Sequence, residues 1–126
     1  MGKFKELRVW QESIELAEKI YAITRVEPFS KDFGLRDQIQ RASVSISSNI
    51  AEGDERGTNR EAIHFLNIAK GSTAEVITQL NIAFRIGYIN IHELEDLENS
   101  AEKIRASIKN LIKVRSNSPN RKPSTV

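Results

Sequence analysis

Cysteine is absent from this chain of 126 residues, and long hydrophobic runs are absent as well. Without cysteine the chain has no disulfides, no thiol nucleophile and no thiolate metal site, which fits a reducing compartment. Its apolar runs extend over only a few residues, so we expect no membrane-spanning segment. The N-terminus also lacks the pattern of a secretory signal. We therefore expect a protein of the cytoplasm.

Positive and negative charges nearly balance, so the formal net charge at pH 7 is only +2. That balance is too small to identify a nucleic-acid binder by itself. The distribution of the charges is nevertheless uneven. Residues 93–102 include acidic but no basic side chains, whereas the chain from Lys103 to Val126 includes basic but no acidic ones. This reversal lies within one predicted helix.

Four segments repeat apolar or small residues at steps of three and four, which is typical of amphipathic helices. They cover residues 7–24, 35–53, 62–83 and 94–111. Short connections make consecutive helices antiparallel. The sequence therefore predicts an all-α fold, an up-down-up-down left-handed four-helix bundle over residues 1–115. Residues 116–126 contain two prolines and almost no large apolar side chain, and they predict a disordered polar tail.

The first and third helices have more apolar residues than one seam needs. The seam predicted for the first helix is Leu7, Trp10, Ile14, Ala17, Tyr21 and Thr24, and that for the third is Ala62, Leu66, Ala69, Thr73, Val76, Leu80 and Ala83. The additional residues are Leu16, Ile20 and Ile23 in the first helix, and Ile63, Ile68, Ile77 and Ile82 in the third. Either a broad core face or a subunit interface accounts for them.

Small and polar residues cluster in the second and third helices, where large apolar ones are usual. The structural signature comprises Asn49, Glu52, Gly53, Gly71 and Ser72. A glycine inside a helix costs about 1 kcal/mol relative to alanine, so Gly71 predicts close approach by another helix. The partners expected for that contact are Ala42, Ser45 and Ala69, and Gly71→Leu is expected to disrupt it. For Asn49 and Glu52 we expect hydrogen bonds to nearby groups rather than a chemical role.

No set of residues predicts catalysis, a metal site or a cofactor. Glu61 and His64 have the Glu-x-x-His spacing of di-iron bundles, but such a site needs a second pair, and His92 has Ile89 at that position. Arg60 and His64 are spaced too closely for the Arg–His pair of helical ribonucleases. The pair is therefore interpreted as exposed and solvated.

Two groups of basic residues are candidates for binding nucleic acid. In the fourth helix Arg105, Lys109 and Lys113 recur every four residues and form a row that suits phosphates. Cations near a helix C-terminus also complement the helix dipole, so that explanation stays open. The second group comprises Arg41, Arg56, Arg60 and Lys70, in which Asp37 is expected to pair with Arg41.

Five segments in order resemble the family of 23S rRNA intervening-sequence proteins. They lie at residues 7–11, 34–42, 45–53, 69–75 and 87–89, and the Asn49-Ile-Ala-Glu-Gly53 element followed by Gly71-Ser72 is the most specific. The family includes the accessory proteins of diversity-generating retroelements, which are pentameric barrels that bind nucleic acid and a reverse transcriptase. The resemblance implies a four-helix homopentamer with a central channel.

These observations predict a non-enzymatic homo-oligomer that binds RNA or DNA through rows of basic residues. The partners expected are further copies of the chain, RNA or DNA, and a reverse transcriptase or other protein, but no membrane. The alternative function is a protein-interaction scaffold whose basic residues only complement helix dipoles.

Overall fold

Four long helices make up the chain in the computed structural model, which describes residues 3–117. They are α1 (Arg8–Thr24), α2 (Phe33–Asp54), α3 (Asn59–Arg85) and α4 (Ile91–Ser116). Two short 3-10 helices, Phe4–Glu6 and Phe29–Lys31, precede α1 and α2, and residues 3–117 contain no strand. The all-α prediction is confirmed, whereas most of the predicted tail, 118–126, lies outside the described residues.

The four helices form a ring in which each contacts its two neighbours. The most extensive pairing is between α2 and α3, followed by α3 with α4 and α1 with α2, and α1 closes the ring against α4. Since the connections are short, consecutive helices run up and down, as predicted. The centre is filled by side chains with almost no exposed surface, among them Leu16, Ile20, Phe29, Ile39, Ile46, Ile50, Val76, Leu80, Ile104 and Ile108.

The ends of the helices are marked by caps. Asn90 and Glu93 form a complete capping box at the start of α4, and Gly87 adopts a left-handed conformation (φ +86°) just after α3. Helix α2 begins at Phe33. Its cap is Asp32, whose carboxylate accepts a hydrogen bond from the Leu35 backbone N–H at 3.1 Å.

The buried side of α1 differs from its predicted seam. The buried residues are Val9, Ser13, Leu16, Ile20 and Thr24, so the true seam is rotated by about one residue around the helix. Ser13 is polar, so the sequence does not show that it belongs to this buried seam. It can be buried because its hydroxyl donates a hydrogen bond to the Trp10 carbonyl of the same helix at 2.8 Å. The extra apolar residues of α1 therefore belong to a broad core face rather than to an interface.

Gly53, not Gly71, is the glycine at which two helices approach closely. A Cβ added to Gly53 would lie 3.1 Å from the Ala62 carbonyl oxygen and 3.3 Å from Leu66 Cγ, whereas one added to Gly71 would have nothing within 4 Å. Gly71 is also exposed. The expectation of a close contact at Gly71 within the chain is therefore wrong. Gly53 itself lies in the last turn of α2.

The turn between α3 and α4 is linked to the start of α2 by one hydrogen bond. The Tyr88 hydroxyl donates to Asp32 Oδ2 at 2.8 Å. The backbone N–H of Leu35, and then the Tyr88 hydroxyl, stabilise the charged carboxylate and hold the pKa of Asp32 below its ordinary value. The same bond raises the pKa of Tyr88.

Gly53→Leu should lower the free energy of unfolding by about 1 to 3 kcal/mol, because the new side chain would overlap the Ala62 carbonyl and Leu66. Urea denaturation followed by circular dichroism measures this decrease. Gly57→Ala is the matched control, since a Cβ there has nothing within 4 Å. Equal stability of the Gly53→Leu variant and the wild type would contradict the close contact.

Asp32→Asn should remove part of the loss of stability at low pH. A carboxyl group whose pKa is lowered on folding stabilises the native state at pH values above its pKa in the unfolded chain, here 3.8. That contribution disappears as the pH falls through the lower pKa of the folded state. Asparagine still caps a helix but does not titrate in this range. Thermal unfolding between pH 6 and about 2 measures the difference. An Asp32→Asn variant that keeps the wild-type dependence on pH would contradict this contribution.

Candidate nucleic-acid interface

The basic row of α4 lies on the side of the helix that faces α3. Glu98 marks this side, because its Oε1 accepts a hydrogen bond from Asn81 Nδ2 of α3 at 2.7 Å. Arg105 and Lys109 follow Glu98 by about two and three helical turns, so they share its side of the helix. Lys113 continues the row one turn further, and both Lys109 and Lys113 are exposed.

Lys70 joins this row from α3. Lys70 precedes Asn81 by about three turns of α3, and Lys109 follows Glu98 by about three turns of α4. Because the two helices are antiparallel, both lysines lie at the same distance from the Asn81–Glu98 hydrogen bond and in the same direction. The alignment persists to the end of α4, where Arg115 Nη1 donates to Asn59 Oδ1 at 3.0 Å. Lys70 is thus level with the turn that carries Arg105 and Lys109. We call these four residues the basic face: Lys70, Arg105, Lys109 and Lys113.

Most of the positive charge of the basic face is uncompensated by described residues. Arg105 approaches Glu102 at 3.9 Å, which is a long and exposed contact. Within residues 3–117, Lys70, Lys109 and Lys113 form no ion pair. The basic face can therefore offer at least three cations to an anionic partner.

The remaining predicted basic residues do not join this face. Arg56 is held at the end of α2, where its guanidinium lies 4.5 Å from the centre of the Phe65 ring and 3.5 Å from Glu52. Arg60 is exposed in the first turn of α3. Arg41 lies on α2 and lines a groove towards α3. With Lys70 on the basic face, the four residues of the second predicted group therefore lie in four separate places.

One expected pairing of this group differs from the structure. Asp37 accepts from Arg36 at 3.0 Å instead of pairing with Arg41. Beside this group, His64 packs edge-on against Phe65, with ring centres 5.1 Å apart. The interpretation of His64 as an exposed side chain is confirmed. The sequence also placed Lys70 in the wrong group. The other residues of the basic face are on α4, more than 30 positions further along the chain.

The polar signature of α2 and α3 is structural. Asn49 Nδ2 donates to the Ser45 carbonyl at 2.9 Å, and the Ser72 hydroxyl donates to Ser45 Oγ at 2.9 Å across the two helices. Glu52 is engaged by Arg56. The prediction that Asn49 and Glu52 satisfy neighbouring groups is confirmed, and the helix contact expected at Gly71 is made by Ser72 instead.

The described residues include no group of side chains suited to holding a metal ion. Between residues 3 and 117 no cluster of three or more histidine, aspartate or glutamate side chains could hold a metal ion. A cavity of about 160 Å³ at the end of the bundle is lined mainly by Leu7, Ile50, Leu66 and Leu111, with Arg115 at its edge. It is smaller than a usual ligand site. No helix of the described part combines the length and apolarity that crossing a bilayer requires.

Most of the chain is similar to proteins of one known family. The profile of the 23S rRNA-intervening sequence protein family matches residues 5–110. A crystal structure at 1.70 Å resolution, of a protein with unknown function from the S23 ribosomal protein family of Bacteroides thetaiotaomicron VPI-5482, is similar to the chain, with 30% identity and a TM-score of 0.77. The similarity covers 83% of this chain and 98% of the other. Among curated proteins, none matches the chain.

Proposed function

This chain belongs to the 23S rRNA-intervening sequence protein family, and we propose that it is a non-enzymatic, cytoplasmic homo-oligomer that binds RNA or DNA through its basic face. The single observation that carries the proposal is the convergence of Lys70 with Arg105, Lys109 and Lys113 on neighbouring turns of α3 and α4. Lysine and arginine side chains that displace condensed counterions from phosphates supply most sequence-independent affinity for nucleic acid.

The row suits an extended phosphate backbone rather than one bound anion. Successive residues of the α4 row are one helical turn apart, which is a rise of about 6 Å. Lys70 adds a positive charge beside the same turns. No aromatic side chain is among the four residues of the basic face, so base stacking has no support there. Recognition would therefore depend on charge and shape rather than on base sequence.

A homo-oligomer strengthens a contact that is weak in one copy. Once one basic face is bound, the others act at a high effective concentration, and the total affinity rises without new kinds of contact. We propose a pentamer, as the resemblance to the pentameric barrels implies. RNA is the first ligand to test, because the name of the matching family refers to 23S rRNA and the similar crystal structure is described as belonging to a ribosomal protein family.

Lys109→Ala combined with Lys113→Ala should weaken binding to a structured RNA and to a single strand alike, since both lysines would contact phosphates. The magnitude of the slope of log K against log salt concentration should fall by about 0.7 to 0.9 for each phosphate that the variant no longer neutralises. Fluorescence anisotropy titrations at several salt concentrations measure both effects.

Lys19→Ala combined with Lys31→Ala is the matched control, because it removes the same charge from lysines that pair with Asp96 and Glu27. The control should retain the wild-type affinity and slope. An equal decrease of affinity in the two variants would mean that binding depends on net charge alone and not on the basic face. Wild-type protein without salt-sensitive affinity for RNA, single strands or duplex would favour the protein-interaction scaffold instead.

A further inference from the structure

The outward side of α3 has an unusual composition for an exposed helix surface. Ile68, Gly71, Glu75 and Ile82 recur at steps of three, four and seven residues and therefore lie along one side. Ile68 and Ile82 are 40% and 43% exposed, and Gly71 has open space in front of it. We call these four residues the α3 stripe. Within one chain, nothing compensates the helix for a central glycine.

A groove separates the α3 stripe from α2, and one of its polar groups lacks a partner. The groove has a volume of about 300 Å³ and is lined by Gln38, Arg41, Ala42, Ser45, Glu75 and Gln79. Gln79 is only 8% exposed, yet no described residue donates to its Oε1. Its amide nitrogen reaches Gln38 only at 3.4 Å. The Gln38–Gln79 pair on the floor of this groove is therefore only weakly hydrogen-bonded.

Opposite charges stand on the two walls of the groove. Arg41 is on the α2 wall and Glu75 is on the α3 wall, and both are exposed. Neither takes part in an ion pair with any residue in the range 3–117. Each copy of the chain thus carries both members of a complementary pair, and a contact that joins Arg41 to Glu75 of another copy can repeat through an assembly.

We propose that the α3 stripe is the surface on which the α2 wall of the groove of a second copy of this chain docks, so that two different surfaces meet and Arg41 of one copy pairs with Glu75 of the next. Gly71 allows the arriving helix to approach, and Ile68 and Ile82 supply the apolar area on either side of the ion pair. This inference rests on the proposed homo-oligomer and assigns its subunit contact. It leaves the basic face, on a different side of α3, open to nucleic acid.

A charge-swap experiment tests the pairing. The mass of the wild type and of the Arg41→Glu, Glu75→Arg and doubly substituted proteins is measured by light scattering after gel filtration. Each single substitution should shift the assembly towards the 14.3 kDa chain, because it places like charges together, and the double substitution should restore the assembly. Lys19→Glu, which reverses a charge on α1 outside the groove, should leave the mass unchanged.

Gly71→Leu provides an independent second variant. Because a side chain at this position has space within the chain, its circular dichroism and thermal unfolding should show a folded helical protein, while its mass should fall. A wild type that is already a single chain would overturn both this inference and the proposed homo-oligomer. An oligomeric wild type whose mass is unaffected by all of these substitutions would overturn the assigned surface alone.

Discussion

The close pairing of α2 with α3 is the contact on which the rest of the structure depends. Gly53 brings the α2 backbone against the Ala62 carbonyl, and the Ser45 and Ser72 hydroxyls bond to each other half-way along the helices. Two such points fix the rotation of α3 about its own axis. With that rotation fixed, Lys70 is directed towards α4, and Ile68 and Ile82 are directed outwards.

The fold could be predicted because helix periodicity is a local signal. The predicted α3 seam is buried in full, from Ala62 to Ala83, since each of its positions is apolar or small and the opposite side is more polar. The α1 seam could not be read as well, because that helix is apolar on two sides. The hydroxyl group of Ser13 bonds to a carbonyl of its own helix and becomes buried without a signal in the sequence.

The candidate site was predicted less completely because it depends on relations between helices. The α4 row has a constant spacing, so the sequence displays it, whereas the position of Lys70 beside it follows from the α3–α4 alignment through Asn81 and Glu98. Gly71 illustrates a different limit. A glycine inside a helix signals that something must approach, but the same signal results whether the approaching group belongs to the chain or to another molecule.

The helix dipole explains only part of the charge reversal in α4. The dipole acts on charges within about the last turn of a helix, and α4 ends at Ser116. Lys113 and Arg115 lie in that turn, so they stabilise the helix end whatever else they do. Lys109 and Arg105 lie about two and three turns before the helix end at Ser116, beyond the reach of the dipole, and Lys70 is on another helix. The helix dipole therefore leaves the positions of Lys70, Arg105 and Lys109 unexplained, and the proposed binding of an extended polyanion along α3 and α4 would account for them.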